Sequence, residues 1–89
     1  MKTSNRRREQ RLPINIKVII RVESVGSLHL VTSDFSEGGI YVKNNQLCEL
    51  PIDSIVSVQS DEGMANAPII QARIAWSDNN GVGIQYLLD

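Results

Sequence analysis

The sequence predicts an all-β domain, a closed or nearly closed six-stranded antiparallel β-barrel behind a flexible basic N-terminal arm. Three observations predict it. Apolar and polar residues alternate in short runs, clusters of turn-forming residues separate those runs, and no stretch carries a 3.6-residue apolar stripe. Six short strands in 89 residues leave room for one domain and favour closure, which removes exposed strand edges. Hydrophobic residues make up 42% of the chain, yet only Phe35, Tyr41, Trp76 and Tyr86 are aromatic. The core is therefore expected to be Ile, Val and Leu, a composition that suits pleated sheet.

The elements follow in order. Residues 1–13 are polar and basic and form the arm; residues 14–89 form the barrel. Pro13 disfavours helix at Leu12. Ile14, Ile16, Val18, Ile20 and Val22 then alternate with Asn15, Lys17, Ile19 and Arg21, which predicts a half-buried first strand. Gly26 and Ser27 make a turn, and Leu28 to Asp34 forms a second strand, antiparallel to the first. Phe35 to Gly39 reads as a loop, and Ile40 to Lys43 as a short third strand. Asn44 to Asp53, punctuated by Pro51, is expected to be irregular.

Ile55 to Gln59 is the fourth strand, and Ser60 to Pro68 a turn. In the fifth strand, Ile69 to Trp76, one face is expected to hold Ile70, Ala72, Ile74 and Trp76. Asp78-Asn79-Asn80-Gly81 is a hairpin signal, because Asn-Gly readily takes positive φ. Val82, Ile84, Tyr86 and Leu88 line one face of the sixth strand.

Charge is distributed unevenly. Residues 1–22 hold seven basic side chains and one acid, whereas the rest holds two basic side chains and nine acids. The net charge of −1 weighs against general nucleic-acid binding, but the concentrated basic arm points to an anionic partner. A nucleic-acid-binding barrel would use the same arm and would also want several exposed aromatics for base stacking. A protein-interaction module would dock the arm on an acidic partner.

Enzyme chemistry finds little support. His29, the sole histidine, falls inside a strand and is expected on its outer face; Cys48, the sole cysteine, suits a half-buried apolar position. One His and one Cys do not make a zinc site without carboxylates, and no phosphate-binding glycine loop is present; Gly81-Val82-Gly83 reads as a turn entering a strand. No catalytic residue, metal or cofactor is expected. No apolar run nears the roughly 20 residues that span a bilayer, and no apolar segment follows the basic start. The expectation is a protein of the cytoplasm, without membrane insertion.

Two motifs carry chemistry. Arg6, Arg7, Arg8 and Arg11 place four guanidiniums within six residues, suited to bidentate bonds to phosphate, to the O6 and N7 edge of guanine, and to stacking on bases. In Asp34-Phe35-Ser36-Glu37-Gly38-Gly39, Asp34 offers acceptors for the N–H edge of guanine and Ser36 a hydroxyl for a phosphate. Gly38 and Gly39 allow close backbone approach and positive φ. Each motif alone has an ordinary alternative, a solvated tail and a common turn.

In this order, on a six-stranded pattern, the pair resembles the PilZ domain family of bacterial cyclic di-GMP receptors. That family carries R-x-x-x-R followed by [D/N]-x-S-x-x-G. Arg7-Arg8-Glu9-Gln10-Arg11 fits the first motif, and Asp34, Ser36 and Gly39 take the defining positions of the second. Arg73-Ile74-Ala75-Trp76 and Gly81-Val82-Gly83-Ile84-Gln85-Tyr86 are similar to the family's last hairpin. The likeness covers roughly residues 5–88; many members add a C-terminal helix beyond the point where this sequence ends, at Asp89. The resemblance implies a split-barrel fold and a non-catalytic receptor. It implies that Arg7 and Arg11 meet cyclic di-GMP from the arm, while Asp34 and Ser36 meet it from the barrel and Gly39 leaves room for it; Arg6, Arg8 and Gly38, beside these positions, are expected to belong to the same site. It also implies a downstream protein partner that receives the signal, and it leaves the identity of that partner open.

Overall fold

The computed structural model describes residues 15–36, 38–63 and 65–87. Within them lie β1 (Lys17–Val22), β2 (Gly26–Ser36), β3 (Gly39–Lys43), α1 (Asn45–Cys48), β4 (Ile55–Ser60), β5 (Ile69–Ser77) and β6 (Gly81–Tyr86). The strands close into a barrel in the order β1-β2-β3-β6-β5-β4, and every neighbouring pair is antiparallel. Closure comes from β1, which pairs with β2 on one side and with β4 on the other.

The period-two pattern sorts the side chains. Val18, Ile20, Val22, Ile40, Val42, Val56, Val58, Ala72, Ile74, Val82 and Ile84 are buried inside the barrel. Phe35 and Tyr86 pack partly against this core, while His29 is exposed on the outside of β2. Aliphatic side chains are short enough to fill so narrow an interior, and eleven alternating positions supply them without aromatic bulk.

Four expectations need correction. The stretch after β3 contains a helix. Asn44 takes extended backbone, and its side-chain oxygen accepts the Leu47 N–H, which starts the single turn α1. Leu47 is fully buried and fills one end of the barrel against β6, while Cys48 is half-buried. Phe35, Ser36 and Gly39 do not lie in a free loop either: β2 runs on to Ser36 and β3 begins at Gly39, and Ser36 pairs with Gly39 across the hairpin.

The Asn80-Gly81 turn does not use positive φ at Gly81; among the described residues that region holds Gly26, Gly63 and Asp53. The Asp78 carboxylate accepts the N–H groups of Asn80 and Gly81 instead, and this builds the turn. Finally, Trp76 does not share a face with Ile74. The register shifts between them, so Ile74 pairs with Ile84 while Trp76 pairs with Gly83. Ala75 is the extra residue, and such a bulge reverses the face of everything after it.

The other barrel end lies where the chain enters β1. An apolar hollow of about 330 Å³ opens there, lined by Ile16, Val18, Phe35, Val58, Ile70 and Tyr86 among others. No helix among the described residues is long and apolar enough to cross a membrane.

Candidate functional site

Two bulges build one face. Between Thr32 and Asp34 the β2–β3 register shifts, so Thr32 pairs with Val42 and Asp34 with Tyr41. In regular pairing, with Ser33 taking its own partner, Asp34 would follow the buried Thr32 by two and point inward. The bulge sends it outward beside Tyr41. The second bulge, at Ala75, does the same for Trp76 on β5. Both flank the β3–β6 pair, and the register joins them in one row across the outer surface: Asp34, Tyr41, Gly83, Trp76.

Glycine makes the floor of this face. A Cβ on Gly83 would lie 2.2 Å from the Trp76 indole, so the ring rests directly on the β6 backbone. A Cβ on Gly39 would lie 2.0 Å from the Ile84 carbonyl oxygen. Gly39 is therefore required for close strand approach and not for positive φ, which it does not adopt. Above the floor, Trp76 stacks on Tyr41 with ring centroids 5.3 Å apart and planes inclined by 14°. Trp76 is still 43% exposed.

The Tyr41 hydroxyl donates to both carboxylate oxygens of Asp78, at 2.9 and 3.0 Å. The Asn80 and Gly81 N–H groups, joined by that hydroxyl, hold the Asp78 carboxyl below the usual carboxylate range. Loss of surrounding water, and then the bond to Asp78, raise the Tyr41 phenol above its ordinary value. The stack is thus tied to the β5–β6 turn by a charge-assisted bond.

Next to this stack lies a cleft of about 210 Å³, bounded by Ser36, Gly38, Gly39, Trp76, Gly83 and Gln85. Ser36, Gly38 and Gly39 come from the motif singled out in the sequence. Ser36 is only 3% exposed, and its hydroxyl donates to the Gly39 carbonyl at 3.3 Å across the hairpin. Asp34 stands one outward pair away on the same hairpin. Arg6, Arg7, Arg8 and Arg11 lie outside the described residues.

Sequence reasoning missed Tyr41, Trp76, Gly83 and Gln85 as members of this face. The alternating glycines Gly81 and Gly83 were the available signal, because glycine inside a strand marks close approach of another group. Among the described residues no cluster of three or more His, Cys, Asp or Glu side chains could hold a metal ion.

Comparison with known proteins places these features. The profile described as PilZ domain matches residues 5–89. Among solved structures, the chain is similar to the PilZ domain of CeSA from a cellulose-synthesizing bacterium. The identity is 25% and the TM-score 0.72, over 90% of this chain and 82% of that one. No curated protein matches the chain.

Proposed function

This chain belongs to the PilZ domain family, and from that premise we propose that it captures cyclic di-GMP between its N-terminal arginines and the β2–β3 hairpin. PilZ domains are receptors of this nucleotide and not catalysts. In this reading residues 1–13 act as a cationic arm on a barrel formed by residues 14–89. Arg7 and Arg11 grip guanine edges and phosphates, and Arg6 and Arg8 add positive charge. Asp34 accepts from the N–H edge of a guanine, while Ser36, Gly38 and Gly39 form the wall against which the ligand lies.

The observation that carries the reading is the position of the second motif. Ser36, Gly38 and Gly39 line a cleft that the Trp76–Tyr41 stack borders, and Asp34 lies on the same outer row as that stack. A planar aromatic wall beside hydrogen-bonding groups suits a purine. The two guanines and two phosphates of the ligand need both planar surfaces and cations, and the barrel and arm divide that labour. Bound nucleotide would neutralise the arm's mutual repulsion and so change the surface offered to a downstream protein, in the cytoplasm where the nucleotide is made.

Calorimetric titration with cyclic di-GMP, GTP, cyclic GMP and a short oligonucleotide tests the proposal. Saturable binding of cyclic di-GMP alone is expected. Equal heats from the oligonucleotide, or none from cyclic di-GMP, would overturn it.

A further inference from the structure

We propose that Gln85 is an additional ligand-contacting residue of this face, aimed by a relay from Asp53 through Arg73. The inference rests on the reading of the cleft as the cyclic di-GMP site. It starts from the sheet register, which sets Gly39, Gln85, Arg73 and Ile55 side by side on four successive strands. Gln85 is exposed and borders the cleft, next to the glycine that ends the D-x-S-x-x-G motif.

The orientation of its amide is determined from the other side. Arg73 Nη2 donates to Gln85 Oε1 at 2.6 Å, and Arg73 Nη1 donates to Asp53 Oδ1. An amide whose oxygen faces a guanidinium must present its NH2 group elsewhere. Among the described residues no acceptor takes that group, so its two donors are available to the cleft beside Gly39. The ligand atom it suits is an acceptor oxygen, on a guanine carbonyl or a phosphate.

Asp53 is a firm anchor for the relay. It sits at φ 75°, a left-handed conformation uncommon for a residue with a side chain. Two backbone bonds hold that bend to β5: Asp53 N–H to the Ile74 carbonyl at 2.7 Å, and Ile74 N–H to the Ser54 carbonyl at 3.0 Å. Arg73, one-third exposed, is held over the sheet by two bonds at once, one to Asp53 and one to the Gln85 amide oxygen. Its charge is spent on Asp53, so Arg73 is a positioning residue and Gln85 the contact.

Binding of cyclic di-GMP to the whole chain tests this. Gln85→Ala should weaken binding roughly 3- to 10-fold, the loss of a hydrogen bond. Gln85→Glu, which sets a carboxylate where a donor stood, should cost more than about 10-fold. Arg73→Met should match Gln85→Ala, and adding it to Gln85→Ala should cost nothing further, because it acts only through the amide. Cyclic di-AMP separates the two oxygen sources. If the Gln85→Ala loss persists with cyclic di-AMP, the contact is a phosphate; if it vanishes, the contact is the guanine carbonyl.

Should Arg73→Met fail to fold, the exposed Gln85 variants decide alone. Wild-type affinity in both Gln85 variants, while Arg7→Ala binds weakly, overturns this inference and spares the site. A wild-type chain that binds no cyclic di-GMP overturns both.

Discussion

Gly39 illustrates how tightly single residues constrain this barrel. Its missing side chain lets the Ile84 carbonyl pass where a Cβ would sit 2.0 Å away, and backbone on both sides leaves nothing flexible to yield. Gly39→Ala should therefore part β3 from β6 and cost about 1–3 kcal/mol of stability, the range for overpacking. Urea unfolding measures it; a midpoint equal to wild type would show that the strands can separate freely. Arg7 and Arg11 act at the same scale but on affinity. Replacing either by Ala should remove about 1.5–3 kcal/mol of cyclic di-GMP binding, as for a charge-assisted bond, with the unfolding midpoint unchanged. Unaltered titration curves for both variants would remove the arm from the site.

Asp78 adds a dependence on acidity. Its carboxyl is held below the usual range by the Asn80 and Gly81 N–H groups and the Tyr41 hydroxyl, so the folded state favours the ionised form. A depressed folded pKa contributes stability above the unfolded value of about 3.9, and that contribution is lost as pH falls through the lower folded value. Asp78→Asn should accordingly show a smaller drop in Tm between pH 5 and pH 3 (about one unit either side of the unfolded pKa) than wild type does. Parallel Tm curves for the two proteins would contradict this.

The hairpins and the helix show what elements do that residues cannot. Each bulge adds one residue to one strand and thereby reverses the face of the next side chain. Ser33 does this for Asp34 and Ala75 for Trp76, and the two reversed side chains flank the β3–β6 pair from opposite sides. Inserting one residue between Ala75 and Trp76 would move Trp76 one pair along β6, set it opposite the buried Val82 and force an indole into an aliphatic core. The expected result is loss of the near-ultraviolet signal of the Tyr41–Trp76 stack together with about 1–3 kcal/mol of stability. Retention of that signal would mean that the bulge absorbs the extra residue and leaves Trp76 opposite Gly83. The helix α1 works differently: its one turn is too short to be stable alone, and the burial of Leu47 at the barrel end holds it there.

For the whole molecule, closure couples the candidate site to global stability. The β3–β6 pair carries the cleft floor and also joins the two halves of the strand order β1-β2-β3-β6-β5-β4. A ligand seated there binds only the closed form. At a concentration 100 times Kd, cyclic di-GMP should therefore stabilise the chain by about 2.7 kcal/mol. For a domain of this size the rise in Tm is roughly 10–20 °C. A thermal scan with saturating nucleotide and no shift would argue against ligand binding to the folded barrel.

The sequence by itself determined the barrel and its core, because burial of one strand face imposes a two-residue period that Val18, Ile20 and Val22, or Ala72 and Ile74, display openly. It also showed the D-x-S-x-x-G motif, since a tight hairpin and a close backbone approach demand local residue types. Helix α1 was less legible: four residues are too few for periodicity, although Asn44 was a capping signal. What only the tertiary structure decided was the composition of the face around the motif. Bulges leave no mark in the pattern of residue types, so the outward turn of Asp34 and Trp76 was invisible along the chain. Tyr41, Gly83 and Gln85 meet these residues across strands whose register is set by pairing at long sequence separation. A linear sequence states which residues alternate, but neighbourhood on a closed sheet is settled only when the strands pair.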